Sequence, residues 1–308
     1  MLRSGRRSSV QRKGAAIRGS FSEKGHAVEY LKEIDVTRPE LGEVYDELPL
    51  WSAPFGLLLL DCIPMKPGLT FLDVGAGTGF LTLELAQRCG PEAKVIAVDP
   101  WKVGMDRLRR KLDYLGLANV VLIEQDAAVV DQPDASVDVI VSNLGINNFE
   151  NPGAVLSTCF RIAKPDASLI LTTNLMGHMS ELYDVYRATL VELGQTDRLD
   201  VLDAHISHRG TVDSVSSLLR NAGFVVRHVD TQSFRMRFAD GSSLLRHAFI
   251  RLGFVPGWKS VAAPDSLETT FKTLERNLNA AAAERGELAL TIPMACVEAW
   301  KPKESWWR

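Results

Sequence analysis

The sequence predicts an α/β fold with a doubly wound, mostly parallel sheet. Three observations predict it. From residue 67 onward, short apolar runs alternate with segments of helical period, the pattern of strands joined by crossover helices. A glycine-rich turn, Gly75-Ala76-Gly77-Thr78-Gly79, lies where the first apolar run gives way to the first helical segment. An acid, Asp99, closes the second run 20 residues after Gly79.

The elements follow in order. Leu69–Val74 reads as a first strand. A helix from Phe80 to Cys89 is stopped by Gly90 and Pro91. Lys94–Asp99 is a second strand. In the next segment Trp101, Met105, Leu108, Leu112 and Leu115 recur at intervals of 4, 3, 4 and 3, which places all five on one helical face. Gly116 is suited to end that helix. Val120–Glu124 and Val137–Asn143 are a third and a fourth strand. Asn151 can cap a helix that begins at Pro152 and ends at Lys164-Pro165. Ser168–Asn174 is a fifth strand. Helical patterns then occupy about 178–193 and 211–222, Phe224–Val229 is a sixth strand, a helix lies near Leu267–Glu284, and Leu290–Ala299 is a seventh strand. The residues before 67 are mostly helical. The run Phe55-Gly-Leu-Leu-Leu-Leu60 ends at Asp61 and suits a buried helix.

Composition narrows the function. A chain of 308 residues with 46% hydrophobic and 24% charged residues is an ordinary globular protein. It is not a collagen, a disulfide scaffold or a wholly disordered chain. The formal charge of −3 combines two unlike parts. Residues 1–22 carry Arg3, Arg6, Arg7, Arg12, Lys13 and Arg18 and no acid, so a +6 tail precedes a −9 body. An acidic body argues against nucleic acid as a partner, because binding needs basic surface to displace counterions from phosphates. The tail has three readings: a transit peptide, a disordered arm or a remnant of expression. No run of about 18 apolar residues exists to span a bilayer. Cys62, Cys89, Cys159 and Cys296 form no C-x-x-C pair, which points away from structural zinc and towards a reduced, cytoplasmic protein. Nothing in the sequence excludes a homodimer.

The glycine turn carries the chemistry. Glycines between a strand and a helix let a nucleotide-like ligand approach the backbone. Asp99 can accept two hydrogen bonds from a ribose diol. The pattern departs from the dinucleotide fingerprint, because the third glycine comes one residue early and Phe80 stands where Gly or Ala is wanted. Asp73, two residues before the first glycine, has the wrong sign for a pyrophosphate. It has the right sign for the sulfonium and ammonium of S-adenosylmethionine.

Leu72-Asp73-Val74-Gly75-Ala76-Gly77-Thr78-Gly79-Phe80 resembles the first motif of the class I S-adenosylmethionine-dependent methyltransferases. Asp99-Pro100-Trp101 resembles the second, and the resemblance implies that Asp99 holds ribose while Pro100 and Trp101 lie beside adenine. Glu124-Gln125-Asp126-Ala127 is similar to the third, which implies that Asp126 accepts from the adenine amino group. Gln125 replaces the common glycine. Pro133–Asp138, Asn143-Leu144-Gly145 and Arg161–Pro165 match the later segments. The resemblance covers about 70–175. It implies a Rossmann-like seven-stranded sheet with an antiparallel last strand, and S-adenosyl-L-methionine as cofactor. Asn143-Leu-Gly-Ile-Asn-Asn148 is not the Asn-Pro-Pro-aromatic signature of amino-group methylation, so a small-molecule acceptor methylated at oxygen or carbon is expected. Tyr45 resembles a residue that closes over the cofactor in relatives.

Several of these residues also have plainer readings: a tight turn for the three glycines, core packing for Trp101 and Tyr45, a solvated acid for Asp126, a cap for Asn143. The expected organisation is a basic tail at 1–22, a helical cover at 23–66, the methyltransferase domain at 67–302 with cover insertions at about 175–210 and 231–288, and a short tail at 303–308. His178, just after the fifth strand, is the candidate general base. His205 and His208, with Asp200 and Asp203, form the densest titratable cluster, but no third ligand for a metal is evident. Arg235, Arg237, Arg246 and Arg251 surround His247 and offer themselves to a substrate carboxylate or phosphate. Alternatives are a protein or RNA methyltransferase, a non-catalytic S-adenosylmethionine-binding protein and an NAD-dependent oxidoreductase.

Overall fold

The computed structural model describes residues 28–46 and 50–303; the basic tail at 1–22 lies outside the described residues. The elements, in chain order, are α1 (Pro39–Asp46), α2 (Ala53–Cys62), β1 (Thr70–Val74), α3 (Phe80–Arg88), β2 (Lys94–Val98), α4 (Lys102–Leu115), β3 (Val120–Ile123), β4 (Val137–Asn143), α5 (Pro152–Ile162) and β5 (Ala163–Asn174). There follow α6 (Ser180–Glu192), α7 (Leu199–Ser207), α8 (Val212–Asn221), β6 (Val225–Phe238), α9 (Gly241–Arg246), α10 (Ala248–Gly253), α11 (Val255–Val261), α12 (Leu267–Arg285) and β7 (Leu288–Trp300).

The seven strands form one sheet in the order β3-β2-β1-β4-β5-β7-β6. β1 to β5 pair in parallel, while β7 runs antiparallel to both β5 and β6. The strand order reverses between β1 and β4, so the loops after these two strands leave in opposite directions and open a crevice at the carboxyl edge.

Strand alternation divides the core. Phe71, Val95, Val139 and Ile170 face one side, against α2, α3, α6 and the helices α9 to α12. Leu72, Ile96, Ile140 and Leu169 face the other, against α5 and α8. Phe80 has a definite task here. A Cβ at Gly56 would come within 2.2 Å of its ring, so α2 closes onto the start of α3 only because residue 56 is glycine. Asn151 accepts from Ala154 N at the start of α5, as its position before Pro152 requires.

The sequence expectations differ from the fold in three places. Lys164 and Pro165 belong to β5, not to the end of α5. β6 extends to Phe238, well into the stretch assigned to an insertion, and pairs with β7 over the whole length. Its polar–apolar alternation through Phe234, Met236 and Phe238 is the period-2 signal of a half-covered strand. Leu115 is exposed rather than core, because α4 turns that last residue past the sheet before Gly116 ends it with φ of 65°.

Candidate active site

A cavity of about 660 Å³ opens at the carboxyl edge of the sheet, over the strand-order reversal. Its size lies within the range of small-ligand sites. Two sets of residues wall it. One comes from the sheet and its loops: Gly75, Gly77, Asp99, Pro100, Trp101, Asp126, Ala127, Asn143 and Leu144. The other comes from the cover: Trp51, Arg209, Phe249, Leu252 and Phe254, with Asn147 and Asn174 between the two.

The sheet wall is held by its own backbone. Gly75 N and Ala76 N both donate to Val98 O, so the glycine loop continues the β1–β2 pairing. Gly75 has φ of 82°, and a Cβ there would lie 3.1 Å from Gly145 Cα. Gly77 has φ of 55° and open space where a Cβ would stand. Gly79 is different, since a Cβ would strike Leu108 of α4 at 2.2 Å. Its task is to let α3 and α4 approach.

Asp99 is the most constrained polar group on this wall. Gly77 N donates to its Oδ2 and Trp101 N to its Oδ1, each at 2.8 Å. Burial raises its pKa, and the two N–H bonds pull the other way. Each carboxylate oxygen keeps a second lone pair, so the group can still accept from a pair of ligand hydroxyls. Trp101 donates from Nε1 to Val36 O at 3.3 Å and meets Tyr45 edge-on at 5.1 Å. Burial and the nearby Asp99 raise the Tyr45 phenol pKa. Asp46, next in α1, binds Arg107 and Lys111 of α4, which fixes Tyr45 over the cavity. Asp126 accepts from Ala128 N at 2.8 Å and caps the short turn 127–129.

Several predicted residues stand elsewhere. Asp73 is 1% exposed and absent from the wall. It shares the Phe71 side of β1, turned towards α3, where Thr82 donates to its Oδ2 at 2.6 Å. Burial raises its pKa to about 7. Ala76 and Thr78, within the loop, are buried and absent from the wall. Asn143 is on the wall, but its amide serves the protein: Nδ2 donates to Ser52 O, and Thr172 Oγ1 donates to Oδ1.

His178 is the clearest correction. It is 2% exposed and does not reach the cavity. Gly177 and Met179 both have positive φ, and Met179 N donates to Thr291 O, so the chain folds back under the cover at this point. The ring ends between Tyr183 and Phe254. Burial first, then Arg209 and His205, lower its pKa to about 3, which leaves it a poor base.

The His205 cluster divides as well: His205 lies 3.3 Å from Tyr183 Oη, while Asp203 pairs with Arg187. Among the described residues no group of three or more His, Cys, Asp or Glu could hold a metal ion. Three of the four arginines have partners outside the cavity, Arg237 on Glu287, Arg246 on Glu275 and Arg251 donating to Glu29 O, and Arg235 lies near Glu287 as well. Sequence reasoning missed Trp51, Asn174, Arg209, Phe249, Leu252 and Phe254 as wall residues. Only Asn174 had a usable signal, as the last residue of a central strand.

Known proteins place this geometry. The methyltransferase-domain family matches residues 65–223, about half of the chain. The ubiquinone/menaquinone biosynthesis C-methyltransferase UbiE of Salmonella arizonae is 27% identical over 175 residues, covering 54% of this chain and 70% of that protein. The protein of the same name from Idiomarina loihiensis is 26% identical over 178 residues, with the same shares. The structure of YcgJ from Bacillus subtilis superposes with a TM-score of 0.54 at 14% identity, covering 82% of this chain and 99% of YcgJ. BH2331 from Bacillus halodurans superposes at 0.53 and 18% identity, covering 80% and 99%. The strand order, the glycine loop and the family match agree: the chain belongs to the methyltransferase-domain family and is a class I enzyme dependent on S-adenosylmethionine.

Proposed function

We propose that the enzyme methylates carbon or oxygen of a small-molecule acceptor, with the cofactor against the sheet wall and the acceptor against the cover. The observation that carries the reading is Asp99, pinned by Gly77 N and Trp101 N with one lone pair free on each oxygen. That donor-hungry carboxylate, beside open space at Gly77, fits the ribose of S-adenosylmethionine. Trp101 and Tyr45 offer apolar surface to adenine, and Asp126 has a carboxylate oxygen left for its amino group.

Held by Asp99, Trp101, Tyr45 and Asp126, S-adenosylmethionine would supply an electrophilic methyl group on its sulfonium and leave as S-adenosylhomocysteine, while the methylated acceptor would give up its proton to solvent. The protein's part is largely positioning, which is worth much of the rate in such a displacement. Trp51, Phe249 and Phe254 pack against one another and keep water from the acceptor side. The cavity volume and the acidic body favour a small molecule over a polymer. The C-methylating relatives favour carbon. The reading is tested by incubating the enzyme with S-adenosylmethionine and a panel of phenols, enols and carboxylic acids, with S-adenosylhomocysteine as the readout. Turnover on a small molecule is expected. Turnover confined to RNA or protein acceptors contradicts it.

A further inference from the structure

The cover half of the cavity holds a cation and a buried donor that no protein group satisfies. Arg209 follows α7 and is the one Lys or Arg among the described residues of the wall. Among the described residues no carboxylate pairs with it. The groups around it are Tyr183, His178 and His205, and both histidines have lowered pKa values, from burial first and then from the arginine itself. Asp99, Asp126 and Glu150 line the same cavity without pairing with it, so its positive charge, permanent in a protein, has no salt-bridge partner among the described residues.

Asn174 ends β5 and is 1% exposed, yet it lines the same cavity. A chain of hydrogen bonds sets its amide: Thr173 Oγ1 donates to Asn147 Oδ1 at 2.6 Å, and Asn147 Nδ2 donates to Asn174 Oδ1 at 2.9 Å. With its oxygen used, the Asn174 Nδ2 group is left as a buried donor without an acceptor. Buried donors rarely stay unpaired in a folded protein, so this one points to a ligand oxygen. The two residues are held together, because Met176 N donates to Gly210 O at 2.9 Å, one residue beyond Arg209 and two beyond Asn174. The rings of Trp51, Phe249 and Phe254 line the same cavity.

We infer that the acceptor is an anionic, aromatic or similarly apolar molecule whose charged oxygens are received by Arg209 and Asn174 Nδ2 while its body lies on the cover rings. An arginine fork beside an amide N–H matches a carboxylate or phosphate and cannot satisfy a neutral amide equally well. The inference rests on the proposed division of the cavity between cofactor and acceptor, and the experiment separates the two.

Titration with S-adenosylhomocysteine alone reads the cofactor half first. Cinnamate, cinnamamide and phenyl phosphate are then titrated into the protein with and without S-adenosylhomocysteine. At least one of the two anions is expected to bind ten-fold or more tighter than cinnamamide, and which one does so distinguishes carboxylate from phosphate. In Arg209→Gln that preference disappears while S-adenosylhomocysteine affinity stays unchanged, which also shows that the variant folds. Asn174→Asp, which replaces the donor by a carboxylate, lowers anion affinity as well. The inference is overturned if neither anion binds, if cinnamamide binds equally, or if the preference survives Arg209→Gln. It is also overturned if Arg209→Gln weakens S-adenosylhomocysteine ten-fold, because the arginine then serves the cofactor.

Discussion

The two walls of the cavity are built in opposite ways. The sheet wall draws on residues within a few positions of a strand end: Gly75 and Gly77 after β1, Asp99 to Trp101 after β2, Asn143 and Leu144 at β4. Backbone hydrogen bonds hold it, and its side chains have little freedom. The cover wall collects Trp51, Arg209, Phe249, Leu252 and Phe254 from three distant segments, with Trp51, Phe249 and Phe254 held by packing of rings. The contrast teaches where each kind of specificity resides. On the proposed division, the cofactor shared across the family meets the rigid wall that the sheet dictates, and the acceptor meets the wall that only the whole tertiary fold assembles.

Substitutions should therefore separate by wall. The largest effect is expected from Gly75→Val. Its positive φ and the nearby Gly145 make any side chain costly by about 1–3 kcal/mol, and the new atoms intrude on the cavity. Calorimetry should show S-adenosylhomocysteine binding weakened by about 100-fold (~2.7 kcal/mol). Comparable affinity in the variant breaks the comparison at its rigid side.

Next in size is a pH effect behind the cover. His178 is neutral when folded, with its pKa lowered to about 3, and takes up a proton when the chain unfolds below about 6.5. The unfolded state binds more protons between these values, so stability falls as the pH falls through that window. Denaturant unfolding should show the wild type losing about 2 kcal/mol more than His178→Gln between pH 7 and pH 5. Asp73 acts in the opposite sense: its raised pKa of about 7 gives stability that is present below about 3.8 and lost as the pH rises to 7. The comparison of variants isolates His178 from it. A pH–rate profile whose midpoint vanishes in His178→Gln would instead restore that residue as a base.

Smaller shifts complete the test. Trp101→Ala removes an aromatic face from the sheet wall and should weaken S-adenosylhomocysteine by about ten-fold, at ~1.4 kcal/mol for a partly exposed ring. Leu252→Ala trims the half-buried apolar cover and should raise the acceptor KM by about five-fold with cofactor affinity unchanged. If Leu252→Ala moves cofactor affinity and Trp101→Ala does not, the walls have been assigned in reverse.

The same contrast explains what was legible in the sequence. Strands β1 to β4 and the Met105, Leu108 and Leu112 stripe of α4 follow from periodicity, Asp99 follows from its spacing after the glycine turn, and Trp101 and Asp126 are implied by the family resemblance; all three of these residues line the cavity. Asp73 shows the limit of that reasoning. Its charge fits the ligand, but strand alternation turns it towards Thr82, a fact that depends on which side of β1 the helix α3 occupies. His178 fails for a similar reason, since two positive-φ residues bend the chain away just after a strand that points at the site. Arg209 and the Phe249–Phe254 ring group have no local signature at all. Their placement depends on Met176 N meeting Gly210 O and on aromatic packing across some 200 residues of chain, between Trp51 and Phe254.

The central claim is that the sheet wall holds the cofactor through Asp99. Isothermal titration of S-adenosylhomocysteine into the wild type and Asp99→Ala tests it most directly. The account predicts saturable one-site binding to the wild type and a loss of about 100-fold in the variant, the upper part of the ~1.5–3 kcal/mol that a hydrogen bond to a charged group contributes. Equal affinity in the two proteins contradicts it.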